Sequence, residues 1–149
     1  MHTRKLISTL STGLSVTGLQ PDRIGIDLVH IPRIEESLRR FGDRFIARMF
    51  TAAEGAYARS GSPGQLAERL AARFAAKEAA IKAFSLSEAG VDWKEIEVLR
   101  QDDGSCSLVL HGRAQEAARA QGLARGLVCL SHDADYAAAV VAALSDSGA

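Results

Sequence analysis

No run of this sequence approaches the roughly 18 consecutive apolar residues that a membrane-spanning helix requires, which predicts a soluble protein with no membrane partner. Cysteine is nearly absent. Cys106 and Cys129 stand alone in 149 residues, outside any metal-ligand spacing, which excludes a disulfide framework or a zinc site and predicts reduced thiols in a cytoplasmic protein. Neither sign of charge is in excess: 18 Lys and Arg balance 18 Asp and Glu, so no global field draws nucleic acid to the chain. Aromatics make up 5% of the sequence, too few for a row of base-stacking platforms. What the chain does have is 47% hydrophobic content over a length that supports one domain with a real core.

Residues 1–22 are basic at the start, Ser/Thr-rich and free of acids before Asp22. They are expected to form an uncleaved, partly ordered extension ahead of a domain over residues 23–145, with 146–149 as a tail. "RIGIDLVHI" puts Ile24, Ile26 and Leu28 on one face and Gly25, Asp27 and Val29 on the other, the period of a strand that Pro32 ends. Ile34, Leu38, Phe41, Phe45 and Met49 then form one helical stripe, with Gly42 weakening or dividing the helix. "TAAE" at 51–54 is a capping box. "SPGQ" supplies Ser62 as N-cap, Pro63 at the first helical position and Gln65 as box partner for a long helix running to about Phe84. "EIEVL" and "CSLVLHG" flank the turn sequence "QDDG" as a hairpin, Gly112 and Gly122 bracket an Ala-rich helix, and "LVCLS" and "YAAAVVAAL" make a last antiparallel pair. The sum is an α+β fold, an antiparallel sheet with a long core helix.

Two acids are out of place. Around the 65–84 helix, Leu66, Leu70, Phe74, Ile81 and Phe84 share one arc, widened by Ala67, Ala71 and Ala75; Glu78 falls inside it, Lys82 at its border, and Arg69 and Arg73 turn toward the opposite side. A plain surface Glu-to-Lys pair four residues apart belongs on the solvent face instead. A buried carboxylate costs on the order of several kcal/mol unless it is paired or binds a metal, and Asp27 makes the same demand from the strand, where Asp is disfavoured. Two hard carboxylates with few other ligands suit Mg²⁺, which completes its shell with water and phosphate oxygens, and a neighbouring Lys82 adds positive charge for phosphoryl chemistry.

"GIDLVHIPRI", "FT", "RFAAKEAAIKAF", "WKEIEV" and "LSHDADYAAAVV" together resemble the holo-acyl-carrier-protein synthase family, the short class of 4′-phosphopantetheinyl transferases, over about residues 24–144. The resemblance implies the 4′-phosphopantetheinyl transferase fold and a homotrimer with sites between subunits. It also implies transfer of phosphopantetheine from coenzyme A to a serine of an apo acyl carrier protein, with release of adenosine 3′,5′-bisphosphate. By the family pattern Asp27 and Glu78 match the Mg²⁺ ligands that hold the coenzyme A pyrophosphate. Glu78, directly or through an ordered water, accepts the serine proton, and Lys82 stabilises charge on the attacked β-phosphate. Arg73 and His132 match positions near the coenzyme A nucleotide.

Arg33, Arg40, Arg44 and Arg48 recur at intervals of seven, four and four. They form either an ordinary solvated face or, as family members use this segment, the surface that receives an acidic carrier protein. Departures from the family pattern concentrate where coenzyme A binds: His30 stands where Glu is usual, Cys129 where Ser is usual, "GSC" lacks a Pro, and "AFSLSEAG" replaces glycines. A non-catalytic carrier-binding homologue would keep the Arg face without needing Asp27, Glu78 and Lys82 together.

Overall fold

The structure, a computed structural model, describes residues 22–145; the extension, apart from Asp22, and the tail lie outside the described residues. Strand β1 (Arg23–His30) leads into helix α1 (Ile31–Phe41), followed by α2 (Asp43–Met49), α3 (Ala52–Arg59) and the long α4 (Gln65–Ala83). A 3-10 turn (Trp93–Glu95) enters β2 (Ile96–Arg100), which pairs with β3 (Cys106–Leu110); α5 (Gly112–Ala120), β4 (Leu123–Asp133) and β5 (Tyr136–Ser145) complete the chain. The five strands form one antiparallel sheet in the order β1-β5-β4-β3-β2, with α4 laid across its inner face.

Small residues set how closely helix and sheet approach. Ala75, Ala76, Ala79, Ala80 and Ala83 of α4 are fully buried in the same core as Ala137, Val141 and Ala143 of β5, the strand on which α4 packs. At Gly25 the fit is backbone to backbone: a Cβ there would stand 2.0 Å from the Ala79 carbonyl oxygen, so only glycine allows β1 to touch α4. Asp27, two residues on, points to the same face and is thereby carried against the last two turns of α4.

The expected elements are present, with differences in detail. Helix α4 begins at Gln65, two residues after the expected Pro63; Gln65 Oε1 accepts from the Ser62 amide at 2.9 Å, but no Ser62 side-chain cap forms, so the box is half made. At Thr51 both halves are present: Glu54 Oε1 accepts from the Thr51 amide at 2.8 Å, and Thr51 Oγ1 accepts from the Glu54 amide at 3.2 Å. Gly42, with φ 57°, divides the first helical stretch in two. The break turns Phe41, expected in the apolar stripe, out to 51% exposure, while Ile34 and Ile46 stay buried. On β1 the apolar face is the outer one: Ile26 and Leu28 are 63% and 61% exposed, while Gly25 and Val29 are buried.

Candidate active site

The contact of β1 with α4 brings Asp27, Glu78 and Lys82 together. Lys82 Nζ donates to Asp27 Oδ1 at 3.0 Å and to the Ile26 carbonyl at 2.9 Å, so one ammonium ties the strand to the helix. The Asp27 and Glu78 carboxyl groups lie close enough to share a hydrogen bond when one holds a proton. Burial first, then that hydrogen bond and the charge of Asp27, push the Glu78 carboxyl above the ordinary Glu range, against the pull of Lys82 and Arg33. Asp27 Oδ2 is buried with no hydrogen-bond partner.

This arrangement fits a divalent cation. A cation held by Asp27 and Glu78 would give the orphaned oxygen a partner and offset the repulsion between two carboxylates. No group of three or more His, Cys, Asp or Glu gathers among the described residues. Two oxygen ligands suit Mg²⁺, which keeps water and accepts phosphate oxygens in its shell.

Arg73 and His132 meet elsewhere, in a cavity of about 740 Å³ bounded by α3, α4, the β2–β3 hairpin and β4. Arg73 was expected to turn away from the core. It is 3% exposed, because it stands seven residues after Leu66 and so within about 20° of its direction on the helix. Its guanidinium lies 4.2 Å from the Tyr57 ring centroid, Nη1 donates to the Arg69 carbonyl at 3.3 Å, and Nε is buried without a partner. Burial, its largest cause, lowers the guanidinium's pKa, and the neighbouring Arg100 acts in the same direction. His132 Nδ1 lies 3.7 Å from Glu68 Oε1 on the rim of the same cavity. Five residues separate Arg73 from Glu78, about 140° around α4, so the cavity and the acid pair occupy opposite flanks of that helix.

Arg33, Arg40, Arg44 and Arg48 are all exposed, but the break at Gly42 splits them between α1 and α2, so they do not form one helical face. Arg40 lies over the Phe41 ring at 5.3 Å. Arg33 is near enough to the acid pair for its charge to act on Glu78, which joins the basic surface to the site.

The ion pair between Lys77 and Glu54, both fully buried, escaped the sequence reading. Lys77 Nζ donates to Glu54 Oε1 at 2.8 Å, to the Trp93 carbonyl at 3.0 Å and to the Ile96 carbonyl. Glu54 Oε2 also accepts from the Val98 amide at 2.9 Å. Burial lowers the Lys77 pKa, and the charge of Glu54 opposes it. The signal was available: Lys77 stands seven residues after Leu70, so a lysine occupies the apolar arc itself.

A family model described as the 4′-phosphopantetheinyl transferase superfamily matches residues 23–141. A holo-acyl-carrier-protein synthase of Koribacter versatilis is 46% identical over 118 residues, covering 78% of this chain and 93% of the relative. That of Gloeobacter violaceus is 43% identical over 122 residues, covering 82% and 92%. Among solved structures, the ACPS–CoA complex of Chronobacterium ammoniagenes is similar with a TM-score of 0.69 at 36% identity, covering 83% of this chain and 96% of that one. The Helicobacter pylori holo-acyl-carrier-protein synthase in complex with coenzyme A has a TM-score of 0.70 at 26% identity, covering 80% and 98%. The fold, the strand-to-helix acid pair and these likenesses agree, and the chain belongs to the holo-acyl-carrier-protein synthase family of 4′-phosphopantetheinyl transferases.

Proposed function

We propose that the chain transfers 4′-phosphopantetheine from coenzyme A to the serine hydroxyl of an apo acyl carrier protein in a Mg²⁺-dependent reaction that releases adenosine 3′,5′-bisphosphate. The observation that carries this is the Asp27–Glu78 pair with its buried, unpartnered oxygen, closed by Lys82. The coenzyme A complexes of the Chronobacterium and Helicobacter relatives support the donor.

Asp27 and Glu78 would hold Mg²⁺, whose charge, when bound, neutralises the pyrophosphate and orients its oxygens for displacement. The serine oxygen forms a bond to the β-phosphorus, and the bond from that phosphorus to the bridging oxygen breaks, leaving the nucleotide as adenosine 3′,5′-bisphosphate. Glu78, directly or through a water that it orients, accepts the serine proton. Lys82, 55% exposed at its side chain, can turn from Asp27 toward an arriving phosphate and stabilise the charge that develops as the bond breaks. Arg33, Arg40, Arg44 and Arg48 meet the acidic carrier, with Arg33 nearest the reacting serine.

The same proposal includes a homotrimer with sites between subunits, in the cytoplasm, where both thiols stay reduced. Two observations support the assembly. The acid pair and the Arg73–His132 cavity lie on opposite flanks of α4, so one coenzyme A reaches both kinds of residue most directly across a junction of two copies. The outer sheet face also exposes Ile26, Leu28, Leu127 and Tyr136, an apolar surface suited to burial against another chain. Incubating the protein with an apo carrier protein, coenzyme A and Mg²⁺, and reading intact mass, tests the activity: the carrier gains one phosphopantetheine, and an unchanged mass contradicts the proposal. Sedimentation equilibrium tests the assembly, with a trimer expected and a monomer at working concentration contradicting it.

A further inference from the structure

Cys106 and Cys129, the two cysteines of the chain, both border the 740 Å³ cavity, and the proposed reaction uses neither. They lie on different faces of the sheet. Cys129 pairs with Val140, which pairs with Ile26, so its side chain shares the outer face with Ile26 and belongs to the surface proposed for subunit contact. Ser107 pairs with Leu127 on that same outer face, which turns the preceding residue, Cys106, inward, where it packs against the core. Cys106 is thus a free, half-buried thiol on the inner wall of the cavity.

Its surroundings are cationic. Arg69, Arg73 and Arg100 line the same cavity, and Glu68, beside His132, is the one carboxylate among the described lining residues. Arg73 is 3% exposed with its Nε buried and unpartnered, so a cationic donor is held ready for whatever enters. Cys106 is close enough for charge on its sulfur to act on that guanidinium. Disulfide exchange carries negative charge through its transition state, shared by the attacking, central and leaving sulfurs, and fixed cations stabilise that charge. The same cations draw an anionic disulfide into the cavity and repel a cationic one.

We infer that Cys106 is a redox-modification site that exchanges with anionic low-molecular-weight disulfides, and that the mixed disulfide closes the cavity to coenzyme A. The Cys106 thiolate bonds to one sulfur of the disulfide, the disulfide's own S–S bond breaks, and the other half leaves as a thiolate that takes up the proton Cys106 released to solvent. The disulfide is the oxidant, and excess thiol reverses the step. Both thiols are free at rest, so the cavity closes only when disulfides accumulate. The effect on transfer rests on the transferase proposal above; the chemistry at Cys106 does not.

The test treats the full chain with glutathione disulfide, which is anionic, and with cystamine, which is cationic, and follows intact mass, peptide mapping and transfer together. One mixed disulfide is expected, on Cys106. The ratio of its rates with the two reagents, glutathione disulfide over cystamine, should exceed that of a small-molecule thiol by about tenfold or more, and should fall with added salt and in Arg100→Met. Adenosine 3′,5′-bisphosphate at about ten times its Kd should slow the modification about tenfold, because the occupied cavity excludes the disulfide. Transfer should fall in step with the modified fraction and return with excess dithiothreitol. Cys106→Ala should keep its own rate of transfer in the presence of the disulfide, and Cys129→Ala should be modified and inhibited like the parent. Modification of Cys129 instead, no preference for the anionic disulfide, or a Cys106 adduct that leaves transfer unchanged overturns the inference. A reduced protein that transfers nothing contradicts the transferase proposal instead, while the site and reagent preference of the modification still decide the chemistry at Cys106.

Discussion

Lys82 and Asp27 face each other at 3.0 Å across the junction of α4 and β1, and the same ammonium holds the carbonyl of Ile26 at 2.9 Å. The exposure of the lysine side chain gives this pair little value as a stabilising ion bridge, about 1 kcal/mol at most. Its expected value lies in the transition state. Lys82→Ala should lower kcat and kcat/KM together by about 10²- to 10³-fold with little change in KM, and Lys82→Arg should restore only part, since a planar guanidinium cannot place its charge where a compact ammonium sits. Steady-state kinetics and a denaturant midpoint on one preparation check this; normal turnover would make Lys82 a surface residue.

The buried Lys77–Glu54 pair behaves in the opposite way. Lys77→Met leaves Glu54 charged and buried without its cation and is expected to cost about 3 to 5 kcal/mol in urea unfolding. The double variant Lys77→Met/Glu54→Leu should cost clearly less than the two single losses added, because no unpaired charge remains. Additive losses would mean that the two groups are not coupled.

That contrast shows how far the sequence could be read. Asp27 and Glu78 were legible because acids stood where apolar residues belong, one within "IGIDLV" and one within the apolar arc of the long helix. Lys77 and Arg73 also lie along that arc, seven residues after Leu70 and Leu66, but long basic side chains were assigned to solvent by type although α4 packs against β1, β5, β4, α1 and α3 at once. A helix so enclosed buries charged residues too, Lys77 beside Glu54 and Arg73 over the Tyr57 ring. Phe41 failed for a local reason, the change of direction at Gly42, and the outward Ile26 and Leu28 show that period two identifies a strand without saying which face is core.

Glu97 carries a pH prediction. Burial opposes its ionisation, but hydrogen bonds from Thr51 at 2.5 Å and His111 at 3.1 Å, with the charges of His111 and Lys77, outweigh it and set its pKa below the ordinary value of 4.5. A depressed folded-state pKa contributes stability that is present above the unfolded value and is lost as pH falls through the folded one. Thermal midpoints should therefore decline on acidification below about pH 4.5 more steeply in the parent protein than in Glu97→Gln. Identical acid limbs would remove Glu97 from the account.

The basic surface has a kinetic signature. Arg44→Glu or Arg40→Glu should raise KM for the carrier protein and slow association, with weaker dependence on salt, while KM for coenzyme A stays the same. Equal loss of coenzyme A affinity would place the arginines at the nucleotide instead.

Transfer followed by intact mass along a Mg²⁺ titration, for the parent, Asp27→Ala and Glu78→Ala, tests the central claim most directly. The account predicts saturable Mg²⁺ activation in the parent, abolition by chelator, and loss of at least about 10²-fold in both variants while each still unfolds cooperatively. Near-normal turnover of either variant at modest Mg²⁺, or transfer by the parent that a chelator leaves intact, would contradict it.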